Sequence, residues 1–183
     1  WFAMGISQNK MRDESAALES YQNAININPK YSKAYNSMAD IYRNNRDYSM
    51  ALTMLDSALR IDKDYILALN NLGNIYMLLD SVDLAIKNFE KCTLLEPKNV
   101  KAWFNLATLH NKLGDCGSAI KAAREATDRK KRFGGGWYEL GIAEWCNGKG
   151  NKTAALNSLE KAREDRSWRQ MAEHEIYRIN NPE

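Results

Sequence analysis

The sequence predicts an all-α fold built from stacked, similar helix hairpins. The first observation is a repeat period of about 34 residues, which places small residues in register at Ala17, Ala51, Ala85 and Ala119. The second is helical spacing inside each period, as in Trp103, Leu106, Ala107 and His110. The third is composition: the 183 residues are 44% hydrophobic and 27% charged and include three prolines. Because one hairpin cannot bury its apolar face alone, the hairpins are expected to stack into a solenoid.

The period predicts five hairpins, at about residues 1–31, 32–65, 66–99, 100–133 and 134–165, and a capping helix at 166–180. The first helix of each hairpin carries a large apolar residue, in the series Trp1, Tyr35, Leu69, Trp103 and Trp137. Four positions later the residue is always small: Gly5, Ala39, Gly73, Ala107 and Gly141. Small residues let the two helices of a hairpin approach closely.

The fifth hairpin and the cap depart from the period. The series of the second helix arrives two residues late, at Ala155, Leu159 and Ala162, and the loop "NGKGNK" at 147–152 absorbs this insertion. The cap is predicted to be amphipathic, with its apolar face formed by Trp168, Met171, Ala172, Ile176 and Ile179.

The repeating residues carry a resemblance to the tetratricopeptide repeat, whose pattern is W-x2-L-G-x2-Y followed by A-x3-F, A and P. The third unit matches this pattern with Leu72, Gly73, Tyr76, Ala85, Phe89 and Pro97. The second and fourth units have Lys63 and Lys131 in place of the proline. The resemblance implies a right-handed superhelical solenoid whose first helices line a concave groove.

If the chain is similar to that family, positions 2, 5, 6, 9 and 12 of each unit face the groove, and a peptide segment or helix of another protein binds there. Asparagine amides both donate and accept hydrogen bonds, and aromatic side chains are frequent anchors. The residues selected as partner-binding are Lys33, Asn36, Asn70, Asn71, Asn74, Lys101, Phe104, Asn105, Thr108, Tyr138 and Trp145. The same positions also hold Ser37, Asp40, Arg43, Leu67, Met77, Asn111, Glu139 and Ile142.

Two subtypes of the family have characteristic residues at these positions. Chaperone-binding arrays hold an acidic tail in a clamp of five residues, of which this chain matches two, Asn71 and Lys101. The asparagine ladder of O-linked N-acetylglucosamine transferases is matched by Asn71 and Asn105 but broken by Ser37 and Glu139. The sequence therefore indicates general peptide binding, which replacement of Asn71 and Asn105 together by Ala is expected to weaken.

The stretch "DRKKRFGGGW" joins the fourth and fifth hairpins. Its basic patch consists of Arg129, Lys130, Lys131 and Arg132. With Lys121 and Arg124 it supports an alternative hypothesis, binding to nucleic acid or another anionic surface. The net charge of +3 is small for a nucleic-acid-binding protein. Gly134–Gly136 stand where a helix should begin and weaken its first turn by about 1 kcal/mol each. They therefore predict a soft hinge.

The sequence offers no catalytic constellation, and we expect neither an enzyme nor a cofactor nor a metal site. His110 occupies the tyrosine position of the repeat, and His174 lacks the second histidine of H-E-x-x-H. The glycine-rich segment around Gly148 fails the phosphate-binding pattern. Because the chain begins with Trp1, an alternative is that it is the regulatory or substrate-recruiting region of a larger enzyme.

Three cysteines, Cys92, Cys116 and Cys146, are an odd number without C-x-x-C spacing. They predict inert thiols rather than disulfides and favour a cytoplasmic location. The expected partner is another protein, with self-association as a further option. No apolar run is long enough to insert in a membrane.

Overall fold

The chain is helical throughout the part that the structure describes. This computed structural model describes residues 1–146 and 151–181, which contain eleven helices and no strand. The helices are α1 (Phe2–Lys10), α2 (Glu14–Ile27), α3 (Ser32–Asn44), α4 (Tyr48–Ile61), α5 (Ile66–Leu78), α6 (Val82–Leu95), α7 (Val100–Leu113), α8 (Cys116–Arg129), α9 (Gly134–Cys146), α10 (Lys152–Arg163) and α11 (Arg169–Asn180). The predicted fold class, five helix hairpins and one final helix, is confirmed.

Short turns set the geometry of the hairpins. A residue with positive φ recurs in each of the first four hairpins, at Arg12, Arg46, Asp80 and Gly114. In three hairpins the next residue is an aspartate that caps the following helix. Asp47, for example, accepts a hydrogen bond from the Met50 N–H at 3.0 Å. These caps satisfy backbone donors that a helix start leaves unpaired, so each second helix begins at a defined residue.

The chain divides into two compact units, Trp1–Lys91 and Cys92–Glu183. In the first unit, each helix from α1 to α4 packs against the next one along the chain. Its fully buried side chains include Tyr21, Ile41 and Leu55. In the second unit, α7 to α11 also pack in sequence, and α7 additionally contacts α9. Leu109, Leu159 and Ile179 are fully buried there.

Within the hairpins, glycine on the first helix faces a large side chain on the second. A Cβ added at Gly73 would lie 2.7 Å from the ring of Phe89, and one added at Gly141 would lie 2.6 Å from Leu159 Cγ. Both distances are far below van der Waals contact. The alternation of small and large residues in the sequence is therefore a packing requirement.

The soft hinge predicted at Gly134–Gly136 requires correction. All three glycines are buried and form the first turn of α9. A Cβ at Gly134 would lie 2.4 Å from Asp165 Cβ, and one at Gly135 would lie 2.8 Å from Trp168 Cζ2. The Gly134 N–H also donates to Asp165 Oδ2 at 3.1 Å. Contacts with residues distant in sequence therefore stabilise the first turn of α9, which the low helix propensity of glycine alone would leave weak.

The final helix agrees with the predicted amphipathic cap in part. Ala172 and Ile179 are buried, but Met171 is 47% exposed, so its predicted place on the packed face is wrong. Trp168 precedes the helix as its N-cap residue. The packed face of the helix instead includes Glu175, which is 9% exposed. In the predicted insertion loop at 147–152, as in the segment around Gly148, residues 147–150 lie outside the described residues.

The expectation of three unpaired thiols is wrong. Cys116, the first residue of α8, forms a disulfide with Cys146, the last residue of α9, with a Cα–Cα distance of 5.7 Å. Cys92 is free and buried. The sequence separation of the two cysteines is 30, and the packing of α8 against α9 brings them together. Disulfides persist in oxidising compartments. The argument for a cytoplasmic location, which depended on unpaired thiols, therefore no longer holds.

Candidate partner-binding surface

In the first unit, the predicted groove positions of α3 and α5 form a connected polar network. The Asn71 Nδ2 group donates to Asn36 Oδ1 at 3.0 Å, and Arg43 Nη1 donates to Asn71 Oδ1 at 3.2 Å. Asn36 is buried, with 5% exposure, whereas Asn71 is half-buried. Asn71 therefore links the two helices and remains accessible from solvent.

Asp40 gives this network a negative charge. Its Oδ1 lies 3.2 Å from Arg43 Nη2, and both side chains are about one-third exposed. Burial raises the pKa of Asp40, while the charge of Arg43 and a hydrogen bond from Asn71 oppose the rise. Burial and then the charge of Asp40 also raise the pKa of Tyr65. A partly screened ion pair beside a tyrosine thus lies on this face.

The other selected residues of the first unit have separate environments. Lys33 is exposed at the first turn of α3. The Asn70 Nδ2 group donates to the Ile66 carbonyl of its own helix at 3.1 Å. Asn74 is half-buried. Leu67, at the start of α5, is 59% exposed and adds an apolar group.

In the second unit, the corresponding polar side chains bind one another. Thr108 Oγ1 donates to Glu139 Oε1 at 2.9 Å, and Asn111 Nδ2 donates to Glu139 Oε2 at 2.7 Å. Glu139 is only 6% exposed. Burial raises its pKa, although the hydrogen bonds from Asn111 and Thr108 act in the opposite direction. Thr108, selected as a partner contact, is therefore engaged within the chain.

Glu139 makes a pH-dependent contribution to stability. Because its pKa is raised in the folded state, lowering the pH from 7 towards the ordinary glutamate range protonates the folded chain first and stabilises it. Glu139→Gln removes this gain. Thermal unfolding at several pH values is expected to show the wild type gaining stability relative to Glu139→Gln on acidification. The exposed control Glu173→Gln should follow the wild type, and parallel profiles for all three proteins would contradict the assignment.

Aromatic side chains selected as anchors in the second unit make contacts within the chain. The ring centroids of Phe104 and Trp168 are 5.8 Å apart, and those of Tyr138 and Trp168 are 5.3 Å apart. Phe104 also meets Phe133 edge-on at 5.2 Å. Trp145 packs against the core cluster of the last three helices. Phe104, Tyr138 and Trp145 therefore take part in internal packing and are half-buried.

Trp168 packs as predicted, but the sequence reasoning missed its contacts with Phe104, Tyr138 and Gly135. A signal was present, because Tyr31, Tyr65 and Phe133 each occupy the position before a first helix, separated by whole repeat periods. Trp168 occupies the equivalent position before α11. The two remaining selected residues are Lys101, which is exposed, and Asn105, which is half-buried.

Internal contacts neutralise part of the basic patch. Arg129 forms a salt bridge with Glu125 and lies 5.6 Å above the ring of Trp103. Lys131 Nζ lies 2.9 Å from Asp128 Oδ1. Lys130 Nζ is 5.5 Å from the ring of Phe133. The patch is thus less cationic than its sequence indicates, which weakens the case for nucleic acid.

The described ranges, 1–146 and 151–181, contain no group of three or more His, Cys, Asp or Glu residues arranged to hold a metal ion. None of their helices has the length and apolar character needed to span a bilayer.

Two family models match parts of the chain. Residues 71–180 match the model of the TT21 fifth ARM repeats domain, and residues 20–53 match that of the tetratricopeptide repeat. No curated protein matches the sequence.

Solved structures share the fold at low identity. YrrB, described as a TPR protein with an unusual peptide-binding site, is 20% identical with a TM-score of 0.79, covering 94% of this chain and 88% of its own. MamA is 20% identical with a TM-score of 0.78, covering 89% and 88%. PilW, a type IV pilus biogenesis factor, is 21% identical with a TM-score of 0.75, covering 89% and 74%. The chain therefore belongs to the helical-repeat family of the TT21 fifth ARM repeats domain, and its repeat is the tetratricopeptide repeat.

Proposed function

We propose that this chain is a non-catalytic interaction scaffold that binds a segment of another protein on the face of α3 and α5. The observation that carries the proposal is the network of Asn36, Asp40, Arg43 and Asn71. Its hydrogen bonds hold a half-buried amide and an ion pair at fixed positions on two helices. Polar groups fixed in advance lose less conformational entropy when a ligand binds.

Asn71 has the hydrogen-bonding capacity to recognise a peptide backbone. Its amide carries two N–H donors and an oxygen with two acceptor sites. Asn36 takes one donor and Arg43 takes one acceptor site. Asp40 takes the second donor, so one acceptor site of Asn71 remains to receive a backbone N–H of the bound segment. Recognition of this kind does not depend on the side chains of the bound segment. The exposed Leu67 and Lys33 would add apolar and charged contacts.

The second unit is a weaker candidate for the same role. Thr108 and Asn111 bind Glu139, and Trp168 packs against Phe104 and Tyr138. A partner would have to displace these internal contacts before binding. The proposal therefore concerns the first unit alone.

Asn71→Ala tests the proposal. Peptides selected from a displayed random library on the wild-type chain are expected to bind the variant about tenfold more weakly, measured by fluorescence anisotropy. Tenfold corresponds to about 1.4 kcal/mol, within the range for one or two lost hydrogen bonds.

The matched control is Asn88→Ala on α6, where the amide donates to the Leu84 carbonyl of its own helix. The control should bind like the wild type, and circular dichroism should report equal helix content for all three proteins. Equal affinity of Asn71→Ala and wild type would remove the assignment of this face.

A further inference from the structure

An open cavity of about 670 Å³ lies in the second unit, at the edge where α9 begins and α10 ends. Its lining comes from the segment between α8 and α9, from α9 itself, and from the end of α10. We name it the Trp137 cavity; its lining residues are Lys131, Arg132, Trp137, Lys161, Glu164 and Asp165. None of these residues belongs to α3 or α5.

Trp137 is fixed in this cavity by two contacts. Its indole Nε1–H donates to the Lys131 carbonyl at 2.7 Å. The Nζ atom of Lys161 lies 4.0 Å from the ring centroid, within the range of a cation–π interaction. The ring therefore holds the Lys161 ammonium group at the cavity.

The preceding hairpin contains the same arrangement with one additional group. Trp103 lies one repeat period before Trp137, and its Nε1–H donates to the Pro97 carbonyl at 2.8 Å. The cation above its ring is Arg129, which is paired with Glu125. In that hairpin, an internal carboxylate therefore neutralises the cation that lies over the tryptophan.

The Trp137 cavity lacks this carboxylate. With the two-residue insertion, the position of Glu125 corresponds to Lys161 itself. Asp165 lines the cavity, but its two oxygens accept the N–H groups of Gly134 and Ser167 at 3.1 and 3.0 Å. Within residues 1–146 and 151–181, neither Arg132 nor Lys161 forms a salt bridge. Arg132 and Lys161 thus line the cavity without a salt-bridge partner among the described residues.

We infer that the Trp137 cavity binds a carboxylate side chain of an acidic peptide segment, with Arg132 and Lys161 as its charged donors. The carboxylate replaces the partner that Glu125 provides in the preceding hairpin, and the ring of Trp137 packs against the peptide. A single carboxylate fits better than a polyphosphate chain. Glu164 and Asp165 place negative charge in the same wall, and Arg129 and Lys131 already have carboxylate partners.

Fluorescence anisotropy with labelled hexaglutamate, hexaglutamine and a six-nucleotide thymidine strand tests this inference at low salt. Hexaglutamate is expected to bind at least tenfold more tightly than either other probe. Lys161→Gln and Arg132→Gln are each expected to weaken hexaglutamate binding about tenfold, because each removes one charge-assisted contact. Glu164→Gln is expected to strengthen it, a gain that a damaged fold cannot produce.

The matched control is Lys87→Gln, an exposed lysine on α6 that removes the same charge elsewhere. It should leave hexaglutamate binding within twofold of the wild type. The inference is overturned if Lys161→Gln behaves like Lys87→Gln, if hexaglutamine binds as tightly as hexaglutamate, or if the thymidine strand binds more tightly than both. The last result would instead support a nucleic-acid surface.

Discussion

Phe89→Ala is expected to lower the free energy of unfolding by about 3–5 kcal/mol, the usual cost of removing a buried phenylalanine ring. Phe89 is fully buried on α6, and its ring fills the space left by Gly73 on α5. Denaturant unfolding followed by circular dichroism measures the change. Leu94→Ala on the same helix is the control, since Leu94 is 80% exposed and its replacement should cost less than about 0.5 kcal/mol.

A double-mutant cycle checks the physical reason. Gly73→Ala alone is expected to destabilise the chain, because the new methyl group would lie 2.7 Å from the Phe89 ring. In the Phe89→Ala background the same change should be neutral or stabilising, since the ring is gone. Additive effects of the two substitutions would show that the close contact does not limit the packing of this hairpin.

Reduction of the Cys116–Cys146 disulfide is expected to lower the free energy of unfolding by about 3–4 kcal/mol, the size that loop-closure entropy gives. The bond closes a loop with a sequence separation of 30. Unfolding of the second unit in the presence and absence of dithiothreitol measures the effect.

The control for this prediction is the double variant Cys116→Ser, Cys146→Ser, which should resemble the reduced wild type and ignore the reductant. Cys92 remains in both proteins, so its thiol cannot account for a difference. Two alkylatable thiols at 116 and 146 in the protein purified without reductant would contradict the pairing.

The repeating part of the fold could be predicted from the sequence because it depends on local spacing. An α-helix places residues four positions apart on one face. Within each hairpin, a small residue of the first helix then packs against a large residue of the second, as Gly73 does against Phe89. The turns also depend on local residues, a residue with positive φ followed by a capping aspartate such as Asp47, but the sequence analysis did not predict these caps.

Contacts between residues in neighbouring repeats could not be predicted in this way. The disulfide joins the start of α8 to the end of α9, and no motif with short spacing signals it. The glycines at 134–136 were judged from intrinsic propensity, but Asp165 and Trp168 supply the packing that propensity ignores.

The residues of the candidate surface were predicted from their positions in the repeat, without regard to the contacts that each side chain makes. The family pattern selected Asn36 and Asn71 on neighbouring helices, and they do bind each other. It selected Thr108 in the same way, but the Thr108 hydroxyl donates a hydrogen bond to the carboxylate of Glu139. Whether a groove side chain is open depends on its neighbour one repeat away. A position-by-position reading treats each residue separately and misses this dependence.

The glycine turn of α9 has a consequence for folding cooperativity. In a linear repeat array each hairpin is stabilised by its nearest neighbours, and the terminal helix usually frays independently. Here the first turn of α9 is completed by Asp165 and Trp168, which lie in the segment between α10 and α11. Displacement of the segment between α10 and α11 therefore removes support from the start of α9 as well. In hydrogen exchange, α9 to α11 are expected to open together as one foldon.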